Sequence, residues 1–128
     1  MIYTTKTSTH IDTVKNELEV KAKEVGFGVL HTYDFKQILQ SKGFPIEREI
    51  TLFEICNPAA AQQALSHAPD ISVYLPCRIS VYADNGQTIL ATIEAEEMLG
   101  SVNLDDTLKN HMIGIFETLK GIMHSWDN

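Results

Sequence analysis

Basic residues are scarce in this chain: ten Lys and Arg stand against seventeen Asp and Glu, for a formal net charge of −7. No Lys/Arg cluster occurs, so general nucleic-acid binding, which needs a phosphate-neutralising surface, is not expected. There is no acidic tail either, and the surplus of acid reads as an ordinary solubility charge. Cysteine is limited to Cys56 and Cys77, far apart and outside any CxxC pair. In a reducing compartment they are expected to be two thiols instead of a structural disulfide. Long apolar runs are missing too, and charge interrupts the longest ones, so no membrane span is expected. The opening residues, MIYTTKTSTH, lack the apolar stretch of a secretory signal. A cytoplasmic location is the default expectation.

Familiar catalytic signatures are also absent. The sequence has no Gly-rich phosphate loop, no GxSxG elbow, no HExxH and no closely spaced ligand set, so no metal site is expected. Five histidines are scattered, at His10, His31, His67, His111 and His124. At about 100° per residue, His111 and His124 point to different sides of one helix, which argues against a metal site built there.

What is present is an ordinary globular composition, 44% apolar over 128 residues. That is the size of one domain, residues 1–128, with one core. A first strand reads from Ile2 to Ser8, rich in β-branched residues. Ile11, Val14, Leu18, Ala22 and Val25 recur at helical spacing, with Thr9 placed to cap the start and Gly26 to stop it. Phe27 to Tyr33 reads as a second strand; Asp34 caps a short helix that Gly43 ends. Glu49 to Cys56 is a third strand, and Asn57-Pro58 opens a helix running to His67. Ile71 to Ala83 and Gln87 to Ala95 read as two strands around Asp84-Asn85-Gly86. A long helix then starts near Asp105, with Leu108, Met112, Ile115, Phe116, Leu119, Ile122 and Met123 on one face. The fold class that follows is α+β: an antiparallel sheet with helices packed on one face, the long C-terminal helix among them.

Register in the hairpin decides which residues share a face. A two-residue loop, Asn85-Gly86, pairs Val81 with Leu90 and Cys77 with Glu94. A three-residue loop pairs Val81 with Ile89, Ile79 with Ala91 and Cys77 with Ile93, which gathers the apolar partners on one side and uses Gly86 as a left-handed bulge. The three-residue loop is the expectation. The other face then carries Tyr82, Ser80 and Arg78 beside Thr88, Leu90 and Thr92. With Leu52, Glu54 and Cys56 from the third strand and Glu94 from the fifth, this is a semi-polar face, and it is the candidate functional face.

The segments FEICNPAAA (53–61) and LPCRISVY (75–82), with His31, Asp34 and Lys42-Gly43 in HTYDFKQILQSKG, resemble the bacterial family called domain of unknown function 302. The resemblance runs over nearly the whole chain. It implies an α+β fold similar to the TATA-binding-protein-like class, and a homodimer; it brings no reaction and leaves any cofactor unknown. Its motif residues here are Cys56, Asn57, Pro58, Pro76, Cys77 and Arg78.

Each of these residues also has a purely structural reading. Cys77 between apolar neighbours is a small buried hydrophobe. Cys56 faces Glu54, and an acidic neighbour blunts a thiol. Asn57-Pro58 is a helix start, and His31 is a half-buried strand histidine. Arg78 is the hardest to place so, because a strand-centre arginine needs a partner: Glu54, Glu94, a bound anion or a second subunit. The first functional expectation is a homodimeric binding module that encloses a small anionic or amphipathic molecule, with Arg78, Glu54, Cys56, Asn57, Cys77 and Thr92 as binding residues. The alternatives are a thiol- or metal-dependent enzyme using Cys56, Cys77 and His31, or a face that serves only dimerisation.

Overall fold

The structure, a computed structural model, describes residues 1–127. It is an antiparallel five-stranded sheet with helices, the α+β class expected from the residue pattern. Strand β1 (Ile2–Thr7) lies at one edge and β2 (Gly28–Asp34) at the other, with β5 (Gln87–Ile93), β4 (Cys77–Asp84) and β3 (Ile50–Cys56) between them. Helix α1 (Ile11–Glu24) carries the chain from one edge to the other, packing on β2, β4 and β5 as it goes. From β2 the chain returns strand by strand until β5 meets β1.

Local chemistry sets the boundaries. The imidazole Nδ1 of His10 accepts the Asp12 amide and caps α1, in place of the Thr9 cap that the sequence suggested. Thr9 is otherwise engaged: its carbonyl accepts the Thr88 hydroxyl at 2.7 Å. Asp34 caps α2 (Phe35–Ser41) through the Gln37 amide. Asn57 caps α3 (Pro58–His67) through the Ala60 amide, with Pro58 in the first turn, where its missing N–H costs nothing. Asp105 caps α5 (Asp106–Met123) through the Leu108 amide at 2.7 Å.

The core lies between one face of the sheet and the helices. Phe53, Ile55, Ile79, Val81 and Leu90 point into it from the strands, and Val14 and Leu18 meet them from α1. Helix α5 supplies Leu108, Met112, Phe116, Leu119, Ile122 and Met123, and Trp126 closes its end. The indole N–H of Trp126 donates to Glu17 at 2.8 Å, while Lys21 sits 4.4 Å from its ring centre. Two short elements escaped the sequence reading. Residues Pro69–Val73 form a 3₁₀ turn where a strand was expected, and α4 (Ala95–Leu99) follows β5 directly. Pro69 starts that turn and Ile71 is fully buried by it, while Val73 is left exposed and Tyr74 and Leu75 half-buried, none of them in strand pairing.

The hairpin register corrects the expectation. Ala83 faces Thr88, Val81 faces Leu90 and Ser80 faces Ala91, which is the two-residue loop. Asn85 (φ 50°) and Gly86 (φ 78°) both occupy the left-handed region, as the tight turn favoured by strand twist requires. Leu90, Thr92 and Glu94 therefore belong to the covered side, and Ile89, Ala91 and Ile93 to the open one. The polar residues brought inward are satisfied there. Thr92 donates to the Arg78 carbonyl at 2.6 Å, and Glu94 accepts from Lys120 at 2.9 Å. On β1, Thr5 and Thr7 donate to the carbonyls of Met123 and Trp126. Hydrogen bonds to backbone thus replace the apolar matching that favoured the other register.

Candidate binding cleft on the open sheet face

The open face is built from alternate strand residues: Leu52 and Glu54 on β3 stand opposite Ser80 and Arg78 on β4, and Tyr33 and His31 on β2 opposite Leu52 and Glu54. On β5 and β1 it continues with Ile89, Ala91 and Ile93 facing Lys6, Thr4 and Ile2. Its middle combines apolar Leu52, Ala91 and Ile93 with Ser80, Arg78 and the Glu54 beside it.

The ladder between β4 and β5 ends at Ser80–Ala91. Beyond that point β4 stays paired with β3 down to Cys77, and β5 with β1 out to Ile93. The two central strands therefore part company while each remains held by its outer neighbour. The Thr92 hydroxyl reaches across to the Arg78 carbonyl where the ladder has stopped. A cleft of about 260 Å³ occupies the opening. Leu52, Arg78, Ser80, Ala91 and Ile93 line its mouth, and Phe116 of α5, nearly fully buried, lies at its floor. Val73 and Tyr74, from the 3₁₀ turn and the residue after it, wall one side.

Arg78 is the polar centre of this site. One guanidinium nitrogen lies 3.4 Å from Glu54, an ion pair without the parallel two-bond geometry of a carboxylate fork. Its side chain is 44% exposed and that of Glu54 only 12%. Glu54 is steadied on its other oxygen by the Tyr33 hydroxyl, which donates at 2.9 Å. That bond to the carboxylate is the main reason the Tyr33 phenol is held above its ordinary pKa, with burial adding to it. His31, opposite Glu54, is exposed; its ring lies 6.1 Å from that of Tyr33, which in turn stacks on Phe35 at 6.4 Å.

The cysteines sit elsewhere. Cys77 borders the cleft, and it also borders a second cavity of only about 20 Å³ shared with Cys56, Asn57, Ala60 and Met112. Strand alternation suggested that Cys56 and Cys77 face opposite sides, yet both reach this cavity, because β3 ends at Cys56 and the Asn57 cap turns the chain toward the helices. Both are free thiols. Burial pushes the Cys77 thiol up to about 11, with nearby Cys56 adding to the rise and Arg78 opposing it. At neutral pH Cys77 is protonated and a poor nucleophile. His31 lines neither cavity. Among the described residues, no group of three or more His, Cys, Asp or Glu side chains is arranged to hold a metal ion.

The structure thus gathers Arg78, Cys77 and Thr92 at the cleft and Glu54 beside Arg78, while Cys56 and Asn57 border the smaller cavity. Sequence reasoning missed Ile2, Val73, Ala91, Ile93 and the Phe116 floor as cleft residues. The Asn-Gly pair was a signal for the two-residue hairpin, and with it for Ala91 and Ile93 on the open face. The parting of β4 from β5 had no counterpart in the residue pattern.

A family model described as a domain of unknown function, DUF302, matches residues 3–126. The chain is also similar to a crystal structure of an uncharacterized conserved DUF302 protein from Bacillus stearothermophilus. The two share 30% identity and a TM-score of 0.89, over 98% of this chain and 97% of that one. Among proteins of curated function, none matches the chain.

Proposed function

The chain belongs to the DUF302 family, and we propose, from its site, that it is a homodimeric module binding a small anionic or amphipathic molecule on the open sheet face. The observation that carries this reading is the cleft itself: an apolar opening through the sheet with a half-exposed arginine at its mouth. Concave, mostly apolar sites with a few convergent polar groups are where small ligands bind. Arg78 offers donors to an acceptor on the ligand, and Glu54 with Tyr33 holds the guanidinium in place.

Dimerisation supplies the cover. Ile50, Leu52 and Ile93, each partly exposed, form an apolar band on the open face. The cytoplasm is the compartment that suits two free thiols.

Native mass spectrometry of the purified protein, with sedimentation at micromolar concentration, tests the proposal. The expected result is a dimer carrying a small organic molecule. A 14.3 kDa species that carries nothing, under conditions that preserve weak complexes, would overturn it.

A further inference from the structure

We infer that the occupant of the cleft is a monocarboxylate with a short apolar tail, its head on Arg78 and its tail passed between β4 and β5 toward Phe116. The inference rests on the reading of the cleft as a ligand site and narrows it to one chemical class.

Three features set the class. The first is charge: among the described residues that line the cleft, Arg78 alone is charged, and the remainder are apolar apart from Ser80, Thr92, Cys77 and the Tyr74 hydroxyl. The Tyr74 hydroxyl donates to Ser101 at 2.8 Å, and that of Thr92 to the Arg78 carbonyl, so both are already engaged. One guanidinium that makes a single contact with Glu54 keeps donors that match one further carboxylate in geometry.

The second is Glu54. Its carboxylate stands 3.4 Å from the same guanidinium and is nearly buried. It already opposes part of the arginine charge, so a dianionic head such as a phosphate monoester meets repulsion without a second cation to offset it. A wholly uncharged head leaves the half-exposed guanidinium with nothing beyond its ion pair, and gains less.

The third is size and position. A cavity of about 150 Å³ holds a benzene ring, so an opening of about 260 Å³ takes roughly ten non-hydrogen atoms. With the charged residue at the mouth and Phe116 at the floor, those atoms divide into a polar head outside and an apolar chain within. Octanoate has that size and shape.

Titration of the isotope-labelled protein with octanoate, octan-1-ol and octyl phosphate, followed by amide NMR, tests the assignment. Octanoate is expected to shift the amides of Arg78, Ala91 and Ile93 and to bind about tenfold or more tightly than either competitor. Arg78→Gln is expected to erase that preference, and Ala91→Phe, which fills the opening, to abolish octanoate binding while the melting curve stays cooperative. Should Ala91→Phe fail to fold, Arg78→Lys provides the second measurement, with an intermediate loss of preference. Octanol binding as tightly as octanoate, or octyl phosphate binding most tightly, would overturn the monocarboxylate assignment and leave the binding-module reading standing. If none of the three perturbs the cleft, the assignment fails. Native mass spectrometry then decides the broader reading: another co-purified molecule preserves it, and an empty protein removes it as well.

Discussion

On the covered face of the sheet Ile79, Val81 and Leu90 are fully buried; one residue along the same strands, Arg78 is half exposed and Ser80 and Ala91 are partly so. The covered face is sealed twice, by apolar packing against α1 and α5 and by hydroxyls bonded to backbone carbonyls, as with Thr5, Thr7 and Thr88. The open face has one linked polar cluster, Arg78, Glu54 and Tyr33, beside a band that includes Leu52 and Ile93. On the first face these hydroxyls are engaged by the backbone, whereas on the second Arg78 remains half exposed. Substitutions on the covered side should therefore register in stability, and those on the open side in association.

The largest expected effect is at the centre of the covered side. Phe116→Ala should cost about 3–5 kcal/mol in reversible urea unfolding, since it empties the space under the sheet. A loss below about 1 kcal/mol would mean that α5 is peripheral and that the contrast between the faces is misdrawn.

Next comes a pH effect. Folding raises the Cys77 pKa from 9.0 to about 11, so the fold favours the protonated thiol. Between those values the unfolded chain has lost the proton that the folded chain keeps, and stability falls as pH rises. The contribution is complete below about pH 9 and lost by about pH 11, roughly 2–3 kcal/mol in all. Because Tyr33 and Lys120 are also shifted upward, the quantity to measure is the difference between wild type and Cys77→Ala. Parallel stability curves for the two proteins through that window would show that Cys77 is not buried in the way described.

Thr92→Val should cost about 1 kcal/mol, because it leaves the Arg78 carbonyl without its donor at the point where the ladder stops. An unchanged melting temperature would show that the hydroxyl contributes nothing to the closed side.

Arg78→Lys should change stability least, by under about 0.5 kcal/mol, since the pair with Glu54 is half exposed and not two-bonded. Dimerisation and ligand content should nevertheless weaken. A stability loss with both of these unchanged would move Arg78 from the open face's role to the covered face's.

Much of the fold was legible because its signals are local. Asn57-Pro58, Asp34 and Asp105 each announced a helix start through chemistry contained within four residues. The stripe on α5 needed only helical periodicity. The hairpin misled because apolar matching was weighed above turn chemistry, whereas Asn85-Gly86 is itself a strong signal for a two-residue turn. What made inward Thr5, Thr7 and Thr88 acceptable was non-local: their acceptors at Met123, Trp126 and Thr9 lie about 80 to 120 residues away in sequence. Arg78 and Glu54 were placed on one face correctly, since that depended on alternation alone. The cleft was not legible, because two strands that pair at one end and part at the other have the same residue periodicity throughout.

That parting gives the sheet a seam. Below Ser80–Ala91, β1 with β5 forms one leaf and β2, β3 and β4 the other, joined at the top by the zipped turn. Among the described residues, no ladder pair crosses the seam there, and the Thr92 hydroxyl is its latch. The gap can therefore widen or narrow by a small rotation of one leaf about the turn, without breaking main-chain pairing on either side. Such a rotation would be opposed by the Thr92 hydroxyl and by helix α1, which packs on β2 and β4 in one leaf and on β5 in the other, while the ladders that hold the rest of the sheet would be left untouched.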